Sequence, residues 1–523
     1  MSDNISPNTL ADISKFIASH MGLHFPKARW DGLEQGIESA ARDFGYTDTE
    51  EFIRWLMASP LTKRHIEILA SHLTVGETYF FREKETLAVL EEQILPELIR
   101  SRQDNEKRLR IWSAGCSTGE EAYSVAILLS QMIPDLKEWN ITILATDINP
   151  RALKKGAEGV YTEWSFRNTP AWLKQKYFKM TKQGRHEILP QIKKMVMFEY
   201  LNLAEDVYPS LFNNTNAMDL IFCRNVLMYF SAARAKMVVK GFYNCLVNNG
   251  WLIVSPVEAF TASNRQFVTV NFPDVVMHRK AVGKTQAVEG VRHAAAPYYT
   301  LHQETSSLPD PTFCWAPHGR ILKSLINRQT TNSSLPIIYT PHQETMEQEG
   351  KAAAVKADEI EKPSPYMQAK TMFEQGRYDE ASERLAGLLS NGHGEPRAIA
   401  LMARVCANQG RLDDALCWCK KAISFDTLNQ AYYYLLAIIL QEQGMLDQAV
   451  DSLKKAIYLD QNFVIAYFSI ANIMTRLGRL NASRKYLKNA SDLLSAYKAE
   501  QVIPESEGIT AGRLSEIIES MRY

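Results

Sequence analysis

RLRIWSAGCSTGEEAYSVAIL, residues 108–128, passes from strand to turn to helix. Leu109, Ile111 and Trp112 read as a short buried strand, because branched and aromatic side chains suit a pleated surface. Ser113, Ala114, Gly115, Cys116, Ser117, Thr118 and Gly119 are all small, and Ala122, Val125, Ala126 and Leu129 then fall at helical spacing. Such a unit opens a nucleotide-type α/β domain. Small residues let the backbone approach a ligand, and a helix start offers free N–H groups. The same residues fit an ordinary tight turn. Gly115-Cys116-Ser117-Thr118-Gly119 also matches G-x-S-x-G, the elbow that carries a hydrolase nucleophile, here Ser117. The segment alone leaves these three readings open.

Downstream, Ile141, Ile143 and Leu144 make a second strand ending at Asp147. A carboxylate there can hold the ribose hydroxyls of an adenosine, or cap the helix that starts near Pro150. Asp147 lies 32 residues beyond Gly115, longer than a dinucleotide fingerprint allows, which argues against NAD. Residues 159–200, rich in aromatics such as Trp164, Phe166 and Trp172, read as an inserted small β-subdomain suited to recognising a partner. Met195–Asn202 and Asp219–Cys223 resume the sheet. A helix up to about Val247 follows, then a turn at Asn248-Asn249-Gly250 and a strand over Trp251–Ser255. Phe267–Val270 and Val275–Arg279 close the sheet with antiparallel strands. Alternation of strand and helix predicts a mostly parallel sheet covered on both faces, within a domain at 91–283.

Upstream, residues 1–90 form amphipathic helices, read as a helical subdomain. Thr74–Arg82, TVGETYFFR, breaks their period and sets Thr78 and Arg82 beside an aromatic wall. Residues 284–361 are rich in Pro, Ser, Thr and Gln and read as a flexible linker, in which YTLHQET at 299–305 recurs as YTPHQET at 339–345. From 362 to 497 the chain repeats: Gly376, Gly410, Gly444 and Gly478 stand 34 apart, with Ala381, Ala415, Ala449 and Ser483 in phase. This is the tetratricopeptide pattern, two antiparallel helices per unit, and four units bury a continuous core. The repeats are expected to bind a protein on their concave face as a module separable from the sheet domain. Residues 498–523 suit a capping tail with a helix over Ala511–Arg522.

A chain of 523 residues with 46% hydrophobic and 23% charged residues is too long for one core and has the composition of soluble globular domains. Zero net charge gives no bulk electrostatic basis for binding nucleic acid. The seven cysteines are scattered without metal-site spacing; Cys417 and Cys419 are expected to pack in a helical core. Reduced thiols, no signal peptide and no run long enough for membrane insertion predict a cytoplasmic protein.

Six ordered blocks carry a resemblance: TYFFR (78–82), WSAGCSTGEEAYS (112–124), ATDIN (145–149), GVYTEWSFRNTP (159–170), LNL (201–203) and FCRNVLMYF (222–230). Together they resemble the chemotaxis-receptor methyltransferases, the CheR family, over residues from about 10 to 282. The added repeats are similar to its WspC-like branch, which serves systems controlling surface behaviour and biofilm formation. The resemblance implies a Rossmann-like fold that transfers the methyl group of S-adenosylmethionine to receptor glutamates. Carried over by position, the cofactor contacts are Thr78, Arg82, Glu120, Asp147, Asn202, Leu203, Arg224 and Asn225. Arg82 and Tyr229 would position the reacting groups, and no metal is implied. Two departures stand out: Gly76 replaces a usual Asn, and Ser255-Pro256-Val257-Glu258 keeps only the Glu of a usual G-H-S-E run. Two other readings differ in class: a serine hydrolase using Ser117, with His186 or His278 as base, and an inert interaction scaffold.

Overall fold

The computed structural model describes residues 5–103, 107–205, 207–211, 213–262, 266–280, 364–390 and 395–521. The expected linker, its duplicated motif and Cys314 lie outside the described residues. Four helices come first: α1 (Pro7–Met21), α2 (Trp30–Asp43), α3 (Thr49–Ala58) and α4 (Lys63–Leu73). Polar residues start three of them: the Ser6, Asp48 and Thr62 side chains accept from the first free N–H groups of α1, α3 and α4. Their apolar stripes meet in one core around Ile13, Ile17, Leu33, Ile37, Phe52, Leu56 and Leu69.

After the TYFFR loop, α5 (Lys84–Val89) runs through a π-helical turn into α6 (Leu95–Gln103). The sheet domain continues β1 (Arg108–Ala114), α7 (Glu120–Met132), β2 (Asn140–Asp147) and α8 (Pro150–Glu158). The inserted subdomain follows as β3 (Val160–Tyr161), α9 (Ala171–Tyr177), β4 (Phe178–Met180), β5 (His186–Ile188) and α10 (Pro190–Lys193). Then come β6 (Val196–Tyr200), β7 (Met218–Cys223), α11 (Ala232–Cys245), β8 (Leu246–Val254), α12 (Ala259–Ala262), β9 (Phe267–Phe272) and β10 (Val275–Lys280).

The main sheet has the order β6-β2-β1-β7-β8-β10-β9. Its first five strands are parallel, and β10 pairs antiparallel with both β8 and β9. Every residue of β1 and of β7 is buried, as expected of central strands covered on both faces. A three-stranded sheet, β3-β5-β4, forms the insertion, which ends earlier than expected because β6 belongs to the main sheet. Asn248-Asn249-Gly250 is no turn between elements: β8 starts at Leu246, and Asn249 takes a left-handed φ of 66° where the pairing with β7 shifts register.

Eight helices pair in sequence: α13 (Pro365–Glu374) with α14 (Tyr378–Ser390), α15 (Pro396–Asn408) with α16 (Leu412–Phe425), α17 (Gln430–Glu442) with α18 (Leu446–Leu459), and α19 (Val464–Arg476) with α20 (Leu480–Leu494). A last helix, α21 (Ala511–Ser520), packs on α20. The periodic glycines sit just past the first helix of each pair with φ of 71–78°, a left-handed conformation that favours glycine. Cys419 is buried there, but Cys417 is exposed, contrary to expectation, because it lies on the solvent face of α16. No helix among the described residues is long and apolar enough to cross a membrane.

The repeats rest directly on the amino-terminal end of the main sheet, within one compact unit. Three of the repeat glycines sit against the sheet domain: a Cβ on Gly376 would meet Asn244 of α11 at 2.4 Å, one on Gly410 would meet Val247 of β8 at 3.2 Å and one on Gly444 would meet Asn140 of β2 at 3.2 Å. Beside them Glu442 of α17 forms a buried ion pair with Arg110 of β1, and its carbonyl accepts from Asn140 Nδ2 at 2.8 Å. An ion pair is retained in such a place only with close geometry and further hydrogen bonds, and Arg110 also donates to the carbonyls of Asn214 and Asn216. The repeats thus cover charged groups of the sheet that would otherwise be exposed.

Candidate active site

A cavity of about 340 Å³ opens at the carboxyl ends of β1, β2 and β7, where ligands of open α/β sheets bind. It is lined by Thr78, Arg82, Asp147, Asn202, Leu203, Arg224, Asn225 and Tyr229. These come from four of the six sequence blocks, separated by up to 151 residues (Thr78 to Tyr229), and Gly115, Cys116, Ser117 and Glu121 of a fifth block line the cavity as well. Met21, Leu23 and Leu73 of the helical subdomain close one wall, which the sequence did not signal.

The turn after β1 is built to bring backbone close to this space. Gly115 has φ of 78°, and a Cβ there would strike Val226 at 2.4 Å. Gly115 and Cys116 donate to the Thr146 carbonyl at 2.8 and 2.9 Å, fixing the turn to β2. Ser117 N–H donates to Asp147 Oδ2 at 2.8 Å, and Asn149 N–H to Oδ1 at 2.8 Å. Burial pushes the Asp147 pKa up, and these backbone donors pull against it. The cap of α8 is Asn149, not Asp147. Phe81, Glu83, Ser117 and Asn225 all hold left-handed φ between 51° and 59° at or beside the cavity, strain of a kind that gathers at functional sites.

Glu120 is the expected contact that the structure moves elsewhere. It is 1% exposed and accepts from Thr118 Oγ1 at 2.6 Å and from Ser165 Oγ at 3.0 Å, facing the inserted subdomain. Its neighbour Glu121 lines the cavity instead, accepting from Ser113 Oγ at 2.7 Å and Arg224 Nη1 at 3.1 Å. The physical reason is helical phase: adjacent residues on α7 point about 100° apart. Arg224 joins three blocks at once, since it also donates to the Arg82 carbonyl at 3.0 Å and pairs with Glu83 at 2.8 Å. Arg82 donates to the Glu77 carbonyl at 3.0 Å. Tyr229 is half-buried, which raises its pKa, so its hydroxyl is protonated at neutral pH; the Arg29 guanidinium lies 5.5 Å above its ring.

Glu258 explains why the altered Ser255-Pro256 run leaves the loop intact. Its Oε1 accepts from Val226 N–H at 2.7 Å and Met228 N–H at 3.2 Å. Its Oε2 accepts from Asn225 N–H at 2.8 Å, Ser255 N–H at 3.2 Å and Ser255 Oγ at 2.5 Å. The one residue retained from the family's run thus holds the backbone that borders the cavity. Gly76 also has a use: its carbonyl accepts from Ser117 Oγ at 3.1 Å.

The hydrolase reading lacks a base. Among the described residues no histidine lines the cavity; His186 of the small sheet bonds to Glu163, and His278 is fully buried in β10. A nucleoside fits better. Asn202 Nδ2, a donor, and Asn225 Oδ1, an acceptor, are buried on cavity-lining residues and meet no hydrogen-bond partner among the described residues. With the Asp147 carboxylate they make a set suited to the hydroxyls and edge nitrogens of adenosine.

The fold and this cavity define a Rossmann-like α/β protein that binds a nucleoside cofactor. A family model described as "CheR methyltransferase, SAM binding domain" matches residues 76–276, and tetratricopeptide models match residues 372–439 and 431–463. The chain is 31% identical over 257 residues to "Chemotaxis protein methyltransferase" of Borreliella burgdorferi, covering 49% of this chain and 89% of that protein. It is 34% identical over 207 residues to "Chemotaxis protein methyltransferase 2" of Vibrio cholerae, covering 40% and 70%. It is 28% identical over 284 residues to "Probable biofilm formation methyltransferase WspC" of Pseudomonas aeruginosa, covering 54% and 63%. The chain belongs to the CheR methyltransferase family, and its methyl donor is S-adenosylmethionine.

Proposed function

We propose that this chain methylates glutamate side chains of a methyl-accepting, chemotaxis-type receptor, forming glutamyl methyl esters, in signalling that controls surface or biofilm behaviour. The observation that supports this most is the convergence of Arg82, Asp147, Asn202, Arg224, Asn225 and Tyr229 on one cavity. Bound S-adenosylmethionine supplies an electrophilic methyl group on a sulfonium. Asp147 holds the ribose hydroxyls, Asn202 and Asn225 border the adenine, and Arg82 with Glu121 fixes the charged methionine end.

A glutamate nucleophile has an ordinary pKa near ~4.3 and is already ionised at neutral pH, so the site needs no general base. What it needs is in-line placement and a dry wall. Arg29, Arg82 and the Tyr229 hydroxyl supply the first by drawing a carboxylate to the mouth. Met21, Leu23, Leu73 and Phe230 supply the second. The test is tritiated-methyl transfer to receptor fragments, followed by alkaline release of methanol. Volatile counts from a fragment with its glutamates intact, and none after their change to alanine, support the reading. Stable label or no label refutes it.

A further inference from the structure

A second cavity, about 790 Å³, lies along the first helices of the repeats, α13, α15 and α17. Val207–Ser210 of the sheet domain and Glu505 and Glu507 of the tail also line it. The repeat helices place Lys370, Arg397 and Arg404 on this groove against a single acid, Glu374. Their share of the lining is thus net positive by two charges. The two carboxylates that balance it arrive from the Pro504–Gly508 turn, just before α21.

That turn is a compact plug. Ser506 Oγ donates to the carbonyls of Ile503 and Ile509, and Ile509 N–H donates back to Ser506 Oγ at 3.0 Å. Glu505, Glu507 and Gly508 all take positive φ, of 59°, 55° and 100°. The result is two carboxylates, two residues apart, aimed into the groove. Glu505 pairs with Arg404 at 3.0 Å. Glu507 accepts from Ser210 Oγ at 2.5 Å and from Leu211 N–H at 3.1 Å. Arg397 is exposed, lines the same groove, and has no ion pair among the described residues.

We propose that this groove is the docking site for an acidic segment of a partner protein, and that the chain's own Pro504–Gly508 turn occupies part of it in the manner of that ligand. The groove already shows how a carboxylate is received: by a guanidinium from α15 and by a hydroxyl and N–H at the edge of the sheet domain. A partner segment with acids at alternate positions would displace Glu505 and Glu507 from those donors and gain Arg397, which the turn leaves unused. The proposal does not depend on which residue the enzyme methylates.

The test is fluorescence anisotropy on the full chain, with a labelled peptide bearing glutamate at alternate positions and a lysine counterpart. The glutamate peptide binds and the lysine peptide does not. Removing the plug with Glu505→Ala and Glu507→Ala tightens binding by about tenfold, the factor one released charge-assisted hydrogen bond carries. Arg397→Glu weakens it by a similar factor; as an exposed side chain it leaves the fold untouched. Preference for the lysine peptide, binding that is unchanged or weaker without the two carboxylates, or indifference to Arg397→Glu would each overturn the proposal.

Discussion

Changing Glu258 to Gln tests how the cavity is held without touching a group that faces it. Glu258 is 2% exposed and is surrounded by N–H donors: Val226 and Met228 on one oxygen, Asn225 and Ser255 on the other. A glutamine keeps the shape but only one acceptor oxygen. Whichever oxygen becomes NH₂, two backbone donors face a donor in its place. A buried donor left without an acceptor costs ~1–3 kcal/mol, so the pair costs about 2–4 kcal/mol after local adjustment. For a domain of this size that lowers the thermal midpoint by about 5–15 °C. Asn225 and Val226 then shift at the cavity edge, so affinity for S-adenosylmethionine falls by about tenfold or more. Thermal melts and calorimetric titration of the same samples read both effects. A variant that melts within about 1 °C of the parent and binds the cofactor equally well would refute the idea that Glu258 positions this loop.

Breaking the ion pair between sheet and repeats by Glu442→Ala leaves Arg110 buried without its carboxylate and destabilises the chain by about 3–5 kcal/mol. Replacing Arg110 and Glu442 together by methionine recovers most of that loss, as read by urea melts; no recovery would mean the pair is not what docks the repeats. Cofactor affinity depends on pH through Asp147, whose pKa burial raises above 3.8. In its proposed role the ionised form accepts the ribose hydroxyls, so affinity is expected to be full above the raised pKa and lost as pH falls through it; Asp147→Asn weakens binding and flattens the calorimetric profile. Glu121→Gln weakens cofactor binding by about tenfold, whereas Glu120→Gln changes it by less than about twofold, because only Glu121 lines the cavity. The reverse order in the same titration would restore Glu120 as the contact.

Local chemistry made much of this protein legible in the sequence. The strand, small-residue turn and helix at 108–132 are spelled out by consecutive residues, and the glycines 34 apart mark the repeats because each needs a left-handed turn. Asp147 was readable because strand ends are where such sheets bind ligands. What failed was phase and distance. Glu120 and Glu121 are chemically identical neighbours, and only the start of α7 decides which one faces the cavity. Asn248-Asn249-Gly250 looks like a turn because Asn tolerates a left-handed φ, and the structure uses that tolerance inside β8 instead. The docking of the repeats joins Arg110 to Glu442, 332 residues away, beyond the reach of any window. Its one local trace was there to see: Arg108 and Arg110 alternate with Leu109 in a strand otherwise made to be buried.

The most direct measurement is a crystal structure of the chain with S-adenosylhomocysteine, the product left after methyl transfer. The ribose hydroxyls are expected within hydrogen-bonding distance of Asp147, the adenine against Asn202 and Asn225, and the sulfur opening toward Tyr229 and Arg29. Ligand density elsewhere, or a ribose held by any other carboxylate, would contradict this placement.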